Sequence, residues 1–128
     1  MSDQENLTVV EELFDAFNAH DAGRLANLHL ESAVVHRAVT NPPLEGHDSI
    51  GAWFNLIFEY YPDCNWSRRR TFSQDDLICV EWVFNGSHKD HPTKPIQTWD
   101  CAIIRINSGK IAEARFYYDR LSAREQLE

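Results

Sequence analysis

A change of period at Pro62 constrains this chain more than any other feature. Before it, apolar residues recur at helical spacing. After it, the sequence reads as four long strands: Asn65 to Ser73, Leu77 to Ser87, Ile96 to Asn107 and Lys110 to Arg120. Gln74-Asp75-Asp76 and Asn107-Ser108-Gly109 are short enough for antiparallel hairpins, whereas His88 to Pro95 is a longer loop holding two prolines. Helices first and an antiparallel sheet afterwards predict an α+β fold in which helices cover one face of a bent sheet.

In the first half, Leu7, Val10, Leu13, Phe14 and Phe17 recur at three- and four-residue steps between Asp3 and Ala19, which predicts an amphipathic helix. A second, short helix is expected to carry Leu25, Leu28 and Leu30, with Asp21 capping its first turn. Val34 and Val35 begin a short strand. Two prolines and a glycine bar a helix from Thr40 to Gly46. The third helix then follows, with His47 or Asp48 near its cap and a stripe of Ile50, Trp53, Phe54, Ile57, Phe58 and Tyr61. Tyr61 precedes a proline and is pushed out of the helical region, which ends the helix.

Alternation in the Ile96 to Asn107 strand places Thr98, Asp100, Ala102, Ile104 and Ile106 on one face and Gln97, Trp99, Cys101, Ile103 and Arg105 on the other. Both sets are largely apolar, and the few helices can cover only one of them. The second face is therefore expected to bury itself against another copy, giving a homodimer. At 43% hydrophobic the 128 residues supply one core, so residues 1–128 are read as a single domain.

The net charge of −8 has the wrong sign for wrapping a nucleic acid or lying on an anionic membrane, and neither partner is expected. No run approaches the roughly 18 apolar residues of a membrane span. The opening Met-Ser-Asp-Gln-Glu-Asn lacks the basic start of a signal peptide, so a cytoplasmic protein is expected. Cys64, Cys79 and Cys101 are odd in number, form no Cys-x-x-Cys pair and read as small hydrophobes. There is no Gly-rich phosphate loop, no Walker-type lysine and no Ser or Cys nucleophile signature.

Asp100 is the residue that stands out. It shares a face with Ala102, Ile104 and Ile106, and a buried acid is costly unless it is paired, protonated or chemically employed. An ion pair with Arg68, Arg70 or Arg115 is the structural alternative. Arg68 and Arg70 should share a face with Trp66 and Phe72, with Arg69 opposite and Glu81 or Glu113 as cross-strand partners. His88, Asp90 and His91 lie close in sequence, but two imidazoles on a proline-containing loop define no metal geometry, and no metal or cofactor is expected.

The order of several short segments resembles the SnoaL-like polyketide cyclases, within the nuclear-transport-factor-two-like superfamily that includes ketosteroid isomerase. The segments are Phe14-Asp15-Ala16-Phe17-Asn18-Ala19-His20-Asp21, Leu44-Glu45-Gly46-His47-Asp48-Ser49-Ile50, Tyr61-Pro62-Asp63, Gly86-Ser87-His88, and Gly109-Lys110-Ile111 through Tyr117-Tyr118-Asp119-Arg120-Leu121 to Gln126-Leu127. The resemblance implies a cone-shaped curved sheet, antiparallel or mixed, with about three N-terminal helices on its concave face around an apolar pocket. It also implies dimers formed through the outer face of the sheet.

Within that resemblance, Asp119 matches the acid/base aspartate of a final Tyr-Tyr-Asp-like motif, and His88 matches the histidine of a Gly-Thr-His stretch. Asp119 would need a bulge to turn inward, because strict alternation sets it opposite Phe116 and Tyr118; capping the turn into Leu121 to Gln126 is its other role. Arg37 would lie at the pocket mouth, able to bind an enolate or a carboxylate, and Trp53, Trp82, Phe116 and Tyr118 would wall the pocket. The three positions that carry steroid isomerase chemistry hold Arg37, Leu13 and Ala102 here, which disfavours that reaction. The run Thr98-Trp99-Asp100 lacks the arginine of the limonene epoxide hydrolase motif. The expected function is cofactor-free acid/base chemistry, of cyclase or isomerase type, on a hydrophobic carbonyl compound. The alternative is a module of the same fold that binds a small hydrophobic molecule, or a second protein chain, without turnover.

Overall fold

The computed structural model describes residues 3–38 and 40–128; Met1, Ser2 and Val39 lie outside them. The first two helices are α1 (Asp3–Asn18) and α2 (Ala22–Asn27), followed by strands β1 (His29–Arg37) and β2 (Thr40–Glu45). Helix α3 (Gly46–Tyr60) leads into β3 (Asn65–Gln74), β4 (Leu77–Ser87), β5 (Pro95–Asn107) and β6 (Lys110–Tyr117), and α4 (Arg120–Leu127) ends the chain. The strands form one mixed sheet in the order β2-β1-β6-β5-β4-β3, in which β1 and β6 are parallel and every other pair is antiparallel. The sheet does not close on itself. Among the described residues no helix is long and apolar enough to cross a membrane.

The α+β class and the order of elements follow from the period change at Pro62. On β5 the inner residues Thr98, Asp100, Ala102, Ile104 and Ile106 are all buried, while Trp99 and Ile103 on the other face are exposed. Helix α1 lays Val10, Leu13, Phe14 and Phe17 on the inner face, where Phe14 meets Trp82 edge-on and Phe17 stacks on Trp66. Ser108 and Gly109 both have positive φ, so the two-residue β5–β6 turn matches the twist of its flanking strands; glycine meets that demand without a steric cost.

Three local expectations are corrected: the extent of α2, the faces of β3 and the form of the carboxyl-terminal segment. Helix α2 stops at Asn27, and Leu30 belongs to β1, because the chain from His29 onward pairs with β6: His29 lies beside Ile111, and the Leu28 carbonyl accepts from the Ile111 N–H at 2.9 Å. Sheet pairing overrides a leucine spacing that fits a helix equally well. From Thr40 the chain is non-helical, as its prolines require, and forms strand β2, where they are tolerated because it is the sheet edge. Helix α3 begins at Gly46 with Glu45 as its N-cap residue, so His47 and Asp48 lie inside the first turn, where the acid suits the helix dipole.

The other two corrections concern β3 and the carboxyl terminus. A bulge between Arg68 and Thr71 breaks the alternation, so Trp66 is buried on the inner face while Phe72 is exposed on the outer one. Arg70 accordingly pairs with Glu81, Nε to Oε1 at 2.9 Å. Strand β6 ends at Tyr117, and Arg120–Leu127 is helical rather than part of a strand, since the Asp119 carboxylate accepts from the Ser122 N–H at 3.0 Å and starts a new helix.

Candidate functional site

Strand pairing decides where Asp100 points. Its register partner on β4 is Trp82, and both side chains turn to the inner face, where Asp100 is 8% exposed. Among the described residues it is the one buried acid. Its Oδ2 accepts from the Thr98 hydroxyl at 3.3 Å, and its Oδ1 is buried with no hydrogen-bond partner. Burial pushes the carboxyl up to about 6, against the opposing pull of the Thr98 hydroxyl and the Trp82 indole N–H. The indole lies close enough to favour the ionised form although its N–H makes no well-formed hydrogen bond. No arginine pairs with Asp100: Arg70 is taken by Glu81, and Arg68 and Arg115 are exposed.

Asp100 opens into a cavity of about 640 Å³. Trp53 and Ile57 of α3 form one wall, the inner face of the sheet contributes Trp66, Trp82, Phe84 and Thr98, and α4 closes the third side with Leu121, Ala123 and Leu127. Tyr118, half-buried, lies between the sheet and α4. Burial raises its phenol above the ordinary range, while the charges of Arg37 and Arg120 oppose the rise and that of Asp100 adds to it. A carboxyl raised to about 6 by burial, in a largely aromatic cavity that a phenol also lines, can take a proton from carbon and return it elsewhere.

Sequence comparison supplies the context for this geometry: a family model described as a SnoaL-like domain matches residues 10–114. The chain belongs to the SnoaL-like domain family. No curated protein matches it in sequence. Among solved structures, IdmH from Streptomyces antibioticus, provisionally assigned as a polyketide cyclase, superposes with a TM-score of 0.85 at 21% identity, over 97% of this chain and 98% of that one. A hypothetical protein with a ketosteroid isomerase-like fold from Catenulispora acidiphila, solved with trimethylamine, gives 0.85 at 18% identity over 92% and 90%. An NTF2-like protein of unknown function from Burkholderia pseudomallei gives 0.86 at 13% over 99% and 98%. At these identities the likeness establishes the shared fold.

The SnoaL-like domain gathers only part of the residue set read from its sequence. Asp100, Trp53, Trp82 and Tyr118 line one cavity. Phe116 lies behind it, buried edge-on against Trp53 and Trp82. Asp119 is exposed at the rim, its carboxylate engaged as the α4 cap. Arg37 reaches Trp53 from outside the lining, with its guanidinium 6.0 Å from the ring centroid and its Nε buried and unpartnered. His88 does not join them: it stacks on Tyr60 beyond the end of α3, and its Nδ1 accepts from the Asp90 N–H at 3.1 Å. Among the described residues no group of three or more His, Cys, Asp or Glu side chains is arranged to hold a metal ion.

Sequence reasoning missed Thr98, Trp66 and the whole wall supplied by α4. Thr98 was visible as the inner-face neighbour two residues before Asp100, and α4 as a capping aspartate three residues before Ser122. Two other chemistry-bearing residues are structural. Cys64 lies 3.5 Å from His20 Nε2, but burial pushes its thiol up to about 12, which leaves it inert. His29 is wholly buried outside the cavity, with Nδ1 bonded to the Leu25 carbonyl at 2.7 Å.

Proposed function

We propose that this SnoaL-like domain is a cofactor-free acid/base enzyme of cyclase or isomerase type, in which ionised Asp100 removes a proton alpha to the carbonyl of a hydrophobic substrate. The observation that carries this reading is a lone carboxylate buried among aromatic side chains, with its Oδ1 free to accept. In the step, a C–H bond breaks, the proton passes to Asp100, and the electron pair moves to the carbonyl oxygen as an enolate. Donors for that oxygen are at hand in the Trp82 indole and the Tyr118 hydroxyl. Returning the proton to a different carbon gives an isomer. Attack of the enolate carbon on a second carbonyl, with Asp100 protonating the new alkoxide, closes a ring.

The test uses 2-tetralone, an apolar ketone with acidic alpha hydrogens, in deuterated buffer. Wild-type protein should catalyse deuterium entry at the alpha carbon, with a rate that rises with pH through about 6. Asp100→Asn should lose at least about 100-fold of that rate. Equal rates for the two proteins, or no catalysis by wild type across a panel of cyclic ketones, would favour a binding module that turns nothing over.

The same reading includes a second copy of the chain. The outer face carries Phe72, Trp99, Ile103 and Tyr117, of which Phe72 and Trp99 are more than 60% exposed. An apolar face of this kind on an isolated sheet favours a homodimer.

A further inference from the structure

Helix α4 brings charge as well as apolar surface to the cavity. Arg120 and Arg124 stand four residues apart, on one face of the helix, and both line the cavity. Neither has a carboxylate within ion-pair distance among the described residues, where the pairs formed are Arg70–Glu81, Lys89–Glu59, Arg105–Asp76 and His88–Asp90. Arg120 Nη1 reaches only the Thr40 hydroxyl, at 3.4 Å. Arg37 adds a third cation at the same end, with a buried Nε that bonds to nothing. Both Arg37 and Arg120 act on the Tyr118 hydroxyl together with Asp100, so the cations and the proposed base share one part of the site.

This local balance runs against the chain as a whole, which carries 20 acidic residues to 12 basic ones. Arg120 and Arg124 in the lining, with Arg37 just outside it, face Asp119 and, when it is ionised, Asp100. With Arg37 counted, one net positive charge remains at this end of the cavity, and a monoanion satisfies it. A planar guanidinium fork suits a carboxylate, whereas a phosphate dianion would overcompensate.

We infer that the cavity takes an apolar ring compound bearing a carboxylate, which Arg120 and Arg124 hold at the mouth while the rings fill the tryptophan-lined interior. The inference rests on reading the cavity as the substrate site. Anchoring the carboxylate fixes the depth of the rings and so sets which carbon faces Asp100. Arg120 and Arg124 thus determine specificity and orientation, and the chemistry stays with Asp100.

The experiment compares 2-naphthoate with its neutral isostere 2-naphthamide by isothermal titration calorimetry at pH 7 and low salt. Wild type should bind the naphthoate about tenfold more tightly, and the preference should shrink in high salt. The Arg120→Gln/Arg124→Gln double variant should bind both ligands with the affinity wild type shows for the amide, and the lysine pair Arg120→Lys/Arg124→Lys should recover part of the preference. Both positions are exposed, so the amide affinity also reports that the cavity is intact. Asp100→Asn should bind naphthoate at least as tightly as wild type, because it removes a neighbouring anion. An amide bound as tightly as the acid, or a preference that survives the glutamine pair, overturns the inference even where Asp100-dependent exchange is intact. Loss of exchange with the preference intact would overturn the base and leave the anion site standing.

Discussion

Asp100 on β5 and His29 on β1 are the two titrating groups that the fold buries most consequentially, and their displacements run in opposite directions along the pH scale. Burial raises the Asp100 carboxyl to about 6 and lowers the His29 imidazole to about 4. In each group the same physical cause, burial, disfavours the charged form. One sits in a cavity; the other is sealed between α2 and the sheet, with its Nε2 unpartnered.

Replacing Asp100 with Asn should stabilise the protein at pH 8. The native state holds the Asp100 proton more tightly than the unfolded chain does, so this group costs stability as pH climbs from about 4 to 6 and continues to cost it above that. The full penalty is about 3 kcal/mol, from a displacement of roughly two pH units. Urea unfolding should show Asp100→Asn firmer by up to that amount at pH 8 and level with wild type near pH 4. An Asn variant that is weaker at every pH would mean the carboxylate is paired after all.

His29 predicts the mirror image. The unfolded imidazole takes a proton near pH 6.5 and the native one only near 4, so stability is complete above about 6.5 and is lost as pH falls through that interval. In wild type the two slopes offset one another between pH 4 and 6. The Asp100→Asn protein should therefore lose about 3 kcal/mol between pH 6.5 and 4, whereas wild type changes far less over pH 4 to 6. Parallel unfolding curves for the two proteins across that range would refute the pairing of effects.

Gly86 on β4 is fixed by a neighbour. A Cβ placed there would lie 3.0 Å from the Cys64 Cβ and 3.3 Å from its Cα, with Tyr61 at 3.5 Å. Gly86→Ala should cost about 1–3 kcal/mol by overpacking. Because Tyr61 also lines the cavity, the same change should weaken 2-naphthamide binding; thermal melts and calorimetry on one sample read both effects.

Ile103 tests the outer face. Analytical ultracentrifugation should find two chains in wild type, and Ile103→Lys should shift the population to single chains by placing a charge in an apolar interface. A wild-type monomer at high micromolar concentration removes the dimer.

Much of this fold is legible from alternation alone: the inner set on β5, from Thr98 to Ile106, is buried as its period requires. What escaped were places where pairing partners rather than local pattern decide. Leu30 fits a helix by spacing and is claimed by β6; Phe72 and Arg70 change sides because a bulge near Arg69 inserts an uncounted residue. In the site, Asp100 was readable because an acid on an apolar face breaks the pattern. The arginines of α4 were not, because a short amphipathic tail looks the same whether it covers a cavity or hangs in solvent.

Helix α4 has no buried residue of its own and rests mainly against β5, tied down by Gln126 on Gln97 and by the Lys94 ammonium on the last two carbonyls. Apart from Ala123 and Leu127, which pack against the core, its positions are free of the core and yet shape one whole side of the chamber. If the cavity is the substrate site, ligand choice and foldedness are therefore largely separable in this chain: exposed positions of α4 such as Arg120, Leu121 and Arg124 can be exchanged to retune what enters, while Asp100 and the sheet that presents it stay as they were.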